Sequence, residues 1–152
     1  MKQRLSSVAA VVLGAALSAL FMVAHPARAQ GMTAGCANVE VQNVRPEQGM
    51  LMLAAYGDAA GFAAKSALVA TQMRAGPAPT MAFPLCGLGG AGSVALTLYQ
   101  DLNGNGKLDA NAFGIPSEPW GASGKLVAMT APTWETTAVP LDGSTIVIKL
   151  SK

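Results

Sequence analysis

The chain has 152 residues, a formal charge of +2, and 51% hydrophobic against 12% charged residues. That suits one domain with a real core, and no basic run or basic amphipathic helix marks it for nucleic acid or a membrane surface. His25 is the only histidine, and it falls in a leader segment, so the remainder lacks the residue needed for Ser-His-Asp or Cys-His catalysis, histidine-ligated zinc or a histidine pH switch.

The leader is residues 1–29. Lys2 and Arg4 precede a nearly unbroken apolar run over residues 8–24, and Ala27-Arg28-Ala29 follows as an A-x-A cleavage site. This is the pattern of a secretory signal peptide cut after Ala29. Cleavage leaves residues 30–152 as a single domain with no transmembrane segment, in the periplasm or secreted. Loss of Lys2, Arg4 and Arg28 takes the formal charge from +2 to −1.

Cys36 and Cys86 are the two cysteines. In an exported protein the simplest outcome is one disulfide between them. The rival is lipidation of Cys36, because "TAGC" resembles a lipobox. However, Thr33 stands where Leu is usual, and the apolar run has already ended at Ala24.

Short strands punctuated by Gly and Pro follow. "NVEVQNV" alternates, placing Val39 and Val41 on one face and Glu40 and Gln42 on the other. "GMLMLAAY" is a continuous apolar run that fits a strand buried on both faces, with a helix as the alternative its length leaves open. Met50 and Met52 share one face of it. Their sulfurs suit copper(I), but without histidine or further methionines the expectation is core packing. "DAAGFAAKSA" predicts one helical turn or a loop, weakened by Gly61, with Phe62 packed inward. "LVATQMR" and "PTMAFPLC" predict two more strands, the second at an edge or bulged because of Pro84.

"SVALTLYQD" is the clearest strand, with Val94, Leu96 and Leu98 on one side and Thr97 and Tyr99 on the other. A long irregular stretch over residues 102–132 comes next. "WETTAVPL" and "TIVIKL" predict a closing hairpin around Asp142-Gly143, with Ile146, Ile148 and Leu150 toward the core. About seven strands with turn signals at short intervals give an all-β antiparallel sandwich. A loop of about thirty residues in so small a domain tends to carry function or to be held by specific contacts.

That loop opens with "DLNGNGKLD". Asp101, Asn103 and Asn105 fill positions 1, 3 and 5 of an EF-hand-like loop, Gly106 stands at the turn position 6, Lys107 offers its carbonyl at 7, and Asp109 is at 9. Position 12 is Ala112, so the bidentate acid is missing, and Glu118 is the downstream carboxylate placed to close the set. These residues point to one weakly held calcium ion, with an affinity of about 0.1–1 mM. The competing reading is a self-bonded Asx-rich turn.

"FGIPSEPWG" follows. Phe113 and Trp120 are candidates for a binding surface, with Trp120 as aromatic anchor. The alternative, and the favoured of the two, is that Phe113, Ile115 and Trp120 pin the long loop onto the sandwich, with Pro116 and Pro119 stiffening it. "GASGK" misses the G-x-S-x-G nucleophile elbow by one residue, and "GNGK" lacks the remainder of a P-loop.

A strand running into "DLNGNGKLD", then "GIPSEPWG", then "LDGSTIVIKL", resembles the bacterial domain-of-unknown-function family 2141 over residues 39–150. Trp120 stands where that family more often has Tyr. The resemblance implies a small exported β-sandwich of immunoglobulin-like or transthyretin-like character, and it implies no particular activity.

The expectation is therefore an exported, non-enzymatic, calcium-stabilised β-sandwich module acting on an envelope or extracellular protein or glycan, or in envelope structure. The alternative is a small hydrolase that uses the carboxylates of the long loop, for example on glycans.

Overall fold

A computed structural model describes residues 35–127 and 130–151, so the leader lies outside the described residues. Among the described residues, eight strands and two short helices run in the order β1 Cys36–Gln42, β2 Met50–Tyr56, α1 Ala59–Ala64, β3 Val69–Arg74, β4 Thr80–Cys86, β5 Ser93–Asp101, β6 Trp120–Ala122, α2 Trp134–Thr137, β7 Val139–Pro140 and β8 Ile146–Lys149. They form two sheets, β4-β1-β8 and β3-β2-β5-β6, with β7 added to β5. The fold is an all-β sandwich.

Alternation builds the core. Side chains on a strand point to opposite faces in turn, so Val39 and Val41 from β1 meet Leu51 and Leu53 from β2 and Val94, Leu96 and Leu98 from β5. Ile146, Ile148 and Leu150 close the core from the last strand and its end. Each such side chain is worth roughly 1.5–3 kcal/mol on burial.

β4 lies at the edge of its sheet, as Pro84 requires, and pairs antiparallel with β1. Cys36 opposes Cys86 directly in that register, and the two form the expected disulfide with their Cα atoms 4.0 Å apart. A sulfur held in this bond is not available for a thioether lipid.

Three expectations change. First, the predicted closing hairpin is absent. "WETT" forms α2, capped by a reciprocal Thr133–Thr136 box, and β7 is only two residues long. β7 pairs with β5 in one sheet, whereas β8 pairs parallel with β1 in the other. The Asp142-Gly143 turn therefore carries the chain across between sheets, and the Asp142 carboxylate accepts the Ser144 N–H at 3.0 Å to brace that corner.

Second, β2 buries one face only. Leu51, Leu53 and Ala55 take the inner side, which leaves Met50 and Met52 half-buried on the outer face rather than in the core. Third, Phe62 does not enter the core. It sits half-buried with its ring edge-on to Tyr56, centroids 5.1 Å apart, on a helix capped by Asp58.

The sheets meet along a seam where β6 passes β8. The Ser151 N–H donates to the Trp120 carbonyl at 2.8 Å, and the Ser151 hydroxyl accepts the Trp120 N–H at 3.0 Å. Gly121 has no side chain at the closest point, where a Cβ would stand 2.6 Å from the Lys149 carbonyl oxygen. Only glycine fits there.

Candidate functional site

Asp101 ends β5 and is 2% exposed. Its carboxylate is the hub of the loop. Oδ1 accepts the Gly104 N–H at 2.7 Å and the Asn105 N–H at 3.2 Å, and Oδ2 accepts the Gly106 N–H at 2.7 Å. The chain wraps around one buried acid, and the positive φ of Gly104 and Gly106, 77° and 73°, permits the wrap.

Asn103 and Asn105 repeat the motif on a smaller scale. Each Oδ1 accepts the N–H two residues on, from Asn105 at 3.1 Å and Lys107 at 2.8 Å. Their amide N–H groups converge on Asp109, Asn103 at 2.6 Å to Oδ2 and Asn105 at 3.0 Å to Oδ1. The alternate spacing thus gathers side chains 101, 103, 105 and 109 around the turn.

Glu118, 6% exposed, works from behind. Oε1 accepts the Leu102 N–H at 2.8 Å and Oε2 accepts the Asp109 N–H at 3.1 Å. One buried carboxylate therefore ties the two ends of the loop together, which places Glu118 as a clamp on main chain.

Two residues of the site carried no sequence signal of their own. The Tyr99 hydroxyl donates to the Gly106 carbonyl at 2.8 Å. Burial first, and then the charges of Asp101 and Glu118, hold its phenol above the ordinary tyrosine value. Tyr99 stands two residues before Asp101 on the outward face of β5, and strand alternation sets that face but not its Gly106 partner. Gly49, with φ 63°, lies so close to Asp101 that a Cβ would run into the Asp101 carbonyl.

The remainder of the long loop is more ordered than expected. Ala110 bridges Pro116, the Asn111 N–H donates to the Ile115 carbonyl at 2.9 Å, and the Ser117 N–H donates to the Asp109 carbonyl at 2.8 Å. The Asn111 side-chain oxygen accepts N–H groups from Phe113 and Ile115. The result is a small braced finger.

Phe113 stands at its tip, 88% exposed, and Ile115 is 52% exposed. They do not pin the loop to the sandwich. That task falls to Glu118 and to the Gln100 N–H bond to the Pro119 carbonyl at 2.8 Å. Trp120 belongs to β6 and lines a groove with Asn43, Leu126, Val147, Lys149 and Leu150. Phe113 and Trp120 are thus parts of two surfaces.

Ser123, in "GASGK", is fully buried. Its hydroxyl accepts the Leu96 N–H at 2.9 Å and donates to the Thr137 carbonyl at 2.7 Å, a structural tie between β5 and α2.

The side-chain acceptors of the loop are all hard oxygen atoms. An sp² oxygen offers two lone pairs, and Asp101 Oδ2, Asn103 Oδ1 and Asn105 Oδ1 each accept one N–H. Calcium takes six to eight such oxygens. Among the described residues no group of three or more His, Cys, Asp or Glu side chains is placed to hold a metal, so any ion here would depend on asparagine and main-chain oxygens.

A family model described as an uncharacterized protein conserved in bacteria (DUF2141) matches residues 39–149. No curated protein and no solved structure matches the chain.

Proposed function

The chain belongs to this DUF2141 family of uncharacterized bacterial proteins, and we propose that it is an exported, non-enzymatic β-sandwich module whose 101–109 loop is stabilised by calcium and which acts in binding or in cell-envelope structure. The observation that carries the calcium reading is the convergence of Asp101, Asn103, Asn105 and Asp109 on one turn, with Asp101 held by three main-chain N–H groups at the end of β5. A divalent ion would take over from the two amide N–H groups as the counter-charge of Asp109. The Lys107 carbonyl would complete the set from main chain, with Glu118 as the outer brace.

Export is supported by the leader composition and by the Cys36–Cys86 disulfide, a bond that persists in oxidising compartments. No helix among the described residues is long and apolar enough to cross a membrane. A non-enzymatic role is supported by the state of the loop acids, since every carboxylate oxygen of Asp101, Asp109 and Glu118 accepts at least one hydrogen bond within the loop. The partner this reading expects is an envelope or extracellular protein or glycan.

A thermal melt in millimolar calcium against chelator tests the reading. Calcium at ten times its dissociation constant should add about 1.4 kcal/mol, or roughly 3–8 °C for a domain of this size. Magnesium should do much less, because it demands a tighter octahedral shell. Absence of a calcium shift, or an equal shift in Asp109→Ala, would reduce the loop to a self-bonded Asx turn.

A further inference from the structure

Two Asn-Gly pairs stand in the loop, Asn103-Gly104 and Asn105-Gly106, and the chain has no other. All four residues are exposed, so water reaches them. Asparagine followed by glycine is prone to close on itself, because glycine carries no Cβ to obstruct the approach. The glycine nitrogen attacks the asparagine Cγ and forms an N–C bond. The side-chain nitrogen leaves as ammonia, taking the proton that the glycine nitrogen gives up. Water then opens the five-membered imide at either carbonyl and leaves aspartate or isoaspartate. The balance is one water in and one ammonia out, with no oxidant or reductant.

The loop presents the electrophile for this reaction. Asn103 Oδ1 accepts the Asn105 N–H at 3.1 Å, and Asn105 Oδ1 accepts the Lys107 N–H at 2.8 Å. Donors on that oxygen polarise the amide and stabilise the negative charge it gains as the nitrogen adds. What the loop withholds is the nucleophile. The Gly104 N–H donates to Asp101 Oδ1 and the Gly106 N–H donates to Asp101 Oδ2, both at 2.7 Å. An amide nitrogen attacks only as its proton departs. A carboxylate is far too weak a base to take that proton, and its charge opposes a second negative charge beside it. Asp101 is itself 2% exposed at the end of β5, so it is fixed in place.

From these contacts we infer that Asn103 and Asn105 are latent deamidation sites, and that the buried Asp101 carboxylate keeps both shut by holding the two nitrogens that would attack.

The reaction changes the character of the loop. Asn103 Nδ2 donates to Asp109 Oδ2 at 2.6 Å, and Asn105 Nδ2 donates to Asp109 Oδ1 at 3.0 Å. Conversion at either residue replaces an amide donor on Asp109 with a carboxylate, so a hydrogen bond gives way to like-charge repulsion. Isoaspartate also lengthens the main chain by a methylene and displaces the N–H groups that Asp101 gathers. Asp101 therefore sets the lifetime of the self-bonded loop. None of this rests on the calcium reading, and the test is run in chelator so that the two stand or fall separately.

The exported protein, with its leader removed, is held in warm, mildly alkaline buffer, and peptide mapping by mass spectrometry follows Asn103 and Asn105 separately. A hydrogen bond to a charged acceptor corresponds to about ten- to a hundredfold in rate. The folded wild type should therefore convert at least about tenfold more slowly than the same chain unfolded in guanidinium. In Asp101→Asn the remaining oxygen serves the Gly104 and Asn105 N–H groups, and the Gly106 N–H faces an amide NH2. Asn105 should then convert about tenfold faster than in the wild type, and ahead of Asn103. Asp101→Ala should release both sites. Circular dichroism verifies folding. The Cys36→Ala, Cys86→Ala double variant is destabilised in the other sheet with Asp101 intact, and should convert at the wild-type rate. Amide hydrogen exchange needs no variant, and should find the Gly104 and Gly106 N–H groups protected in the wild type. A folded wild type that converts as fast as the unfolded chain, or free exchange at either glycine, would overturn the inference. So would a folded Asp101→Asn protein with wild-type rates, or a disulfide-free variant that accelerates as much as Asp101→Asn.

Discussion

The Asp101 carboxylate accepts the Gly106 N–H at 2.7 Å, a bond that spans the turn and closes the loop on the last residue of β5. The same side chain accepts from Gly104 and Asn105 and is almost completely buried. Asp101→Ala would leave three main-chain donors without their acceptor. A buried unsatisfied donor costs about 1–3 kcal/mol, and the exposed outer side of this loop lets water recover part of that. The expected loss is about 2–3 kcal/mol, or roughly 5–15 °C in melting temperature without added calcium. Calorimetry in chelator measures it, and a loss below about 1 kcal/mol would show that Asp101 does not organise the turn.

Gly49, immediately before β2, packs against the main chain of the same residue. A Cβ there would overlap the Asp101 carbonyl, and its φ of 63° is itself unfavourable for other residues. Gly49→Ala should therefore cost about 2–4 kcal/mol, more than an ordinary glycine-to-alanine change at a tolerant turn. Gly143→Ala supplies the comparison. It shares a positive φ, but its Cβ meets nothing within 4 Å. Equal losses in the two variants would refute a special contact at Gly49.

The disulfide closes a sequence separation of 50 residues between directly opposed cross-strand positions. On the chain-entropy account its removal should cost about 4 kcal/mol. The Cys36→Ala, Cys86→Ala double variant, followed by urea unfolding, reads this without a free thiol left to exchange. Non-reducing mass spectrometry of the exported protein should find the pair joined and Cys36 without a lipid.

Much of this architecture was legible from side-chain period alone. Val39 and Val41, Val94 through Leu98, and Ile146 through Leu150 all announce their buried faces by alternation, and the structure buries them. The closing hairpin failed because pairing partners are not written in local pattern. Val139-Pro140 and Ile146–Lys149 belong to different sheets, and only long-range contacts with β5 and β1 decide that. The loop residues 101, 103, 105 and 109 were visible as a spacing. Tyr99, Gly49 and the clamp made by Glu118 were not, because each acts through a main-chain atom elsewhere in the loop. Phe113 misled for a related reason. An aromatic in a loop suggests a pin, but the Asn111 turn and the Ala110–Pro116 bridge hold the finger without it.

Tyr99 offers a pH test of the loop. Its hydroxyl donates to the Gly106 carbonyl, which requires the protonated form. Burial and the nearby carboxylates of Asp101 and Glu118 raise its pKa, because all of them disfavour a phenolate. An unfolded tyrosine titrates near 10, so in alkaline solution the unfolded chain gives up this proton before the folded one does. A group raised on folding contributes stability that is complete below the unfolded value and is lost as pH rises through the folded value. The Tyr99 contribution should accordingly be flat through neutral pH and disappear above about pH 10. Tyr99→Phe should cost about 1 kcal/mol at neutral pH through the lost hydrogen bond, and its alkaline decline should be shallower than that of the wild type. Phenolate absorbance, with the Tyr99→Phe spectrum subtracted to remove Tyr56, should place the Tyr99 midpoint above that of a free phenol. A midpoint at or below the free value, or parallel alkaline curves for the two proteins, would break the link between Tyr99, Gly106 and the acids of the loop.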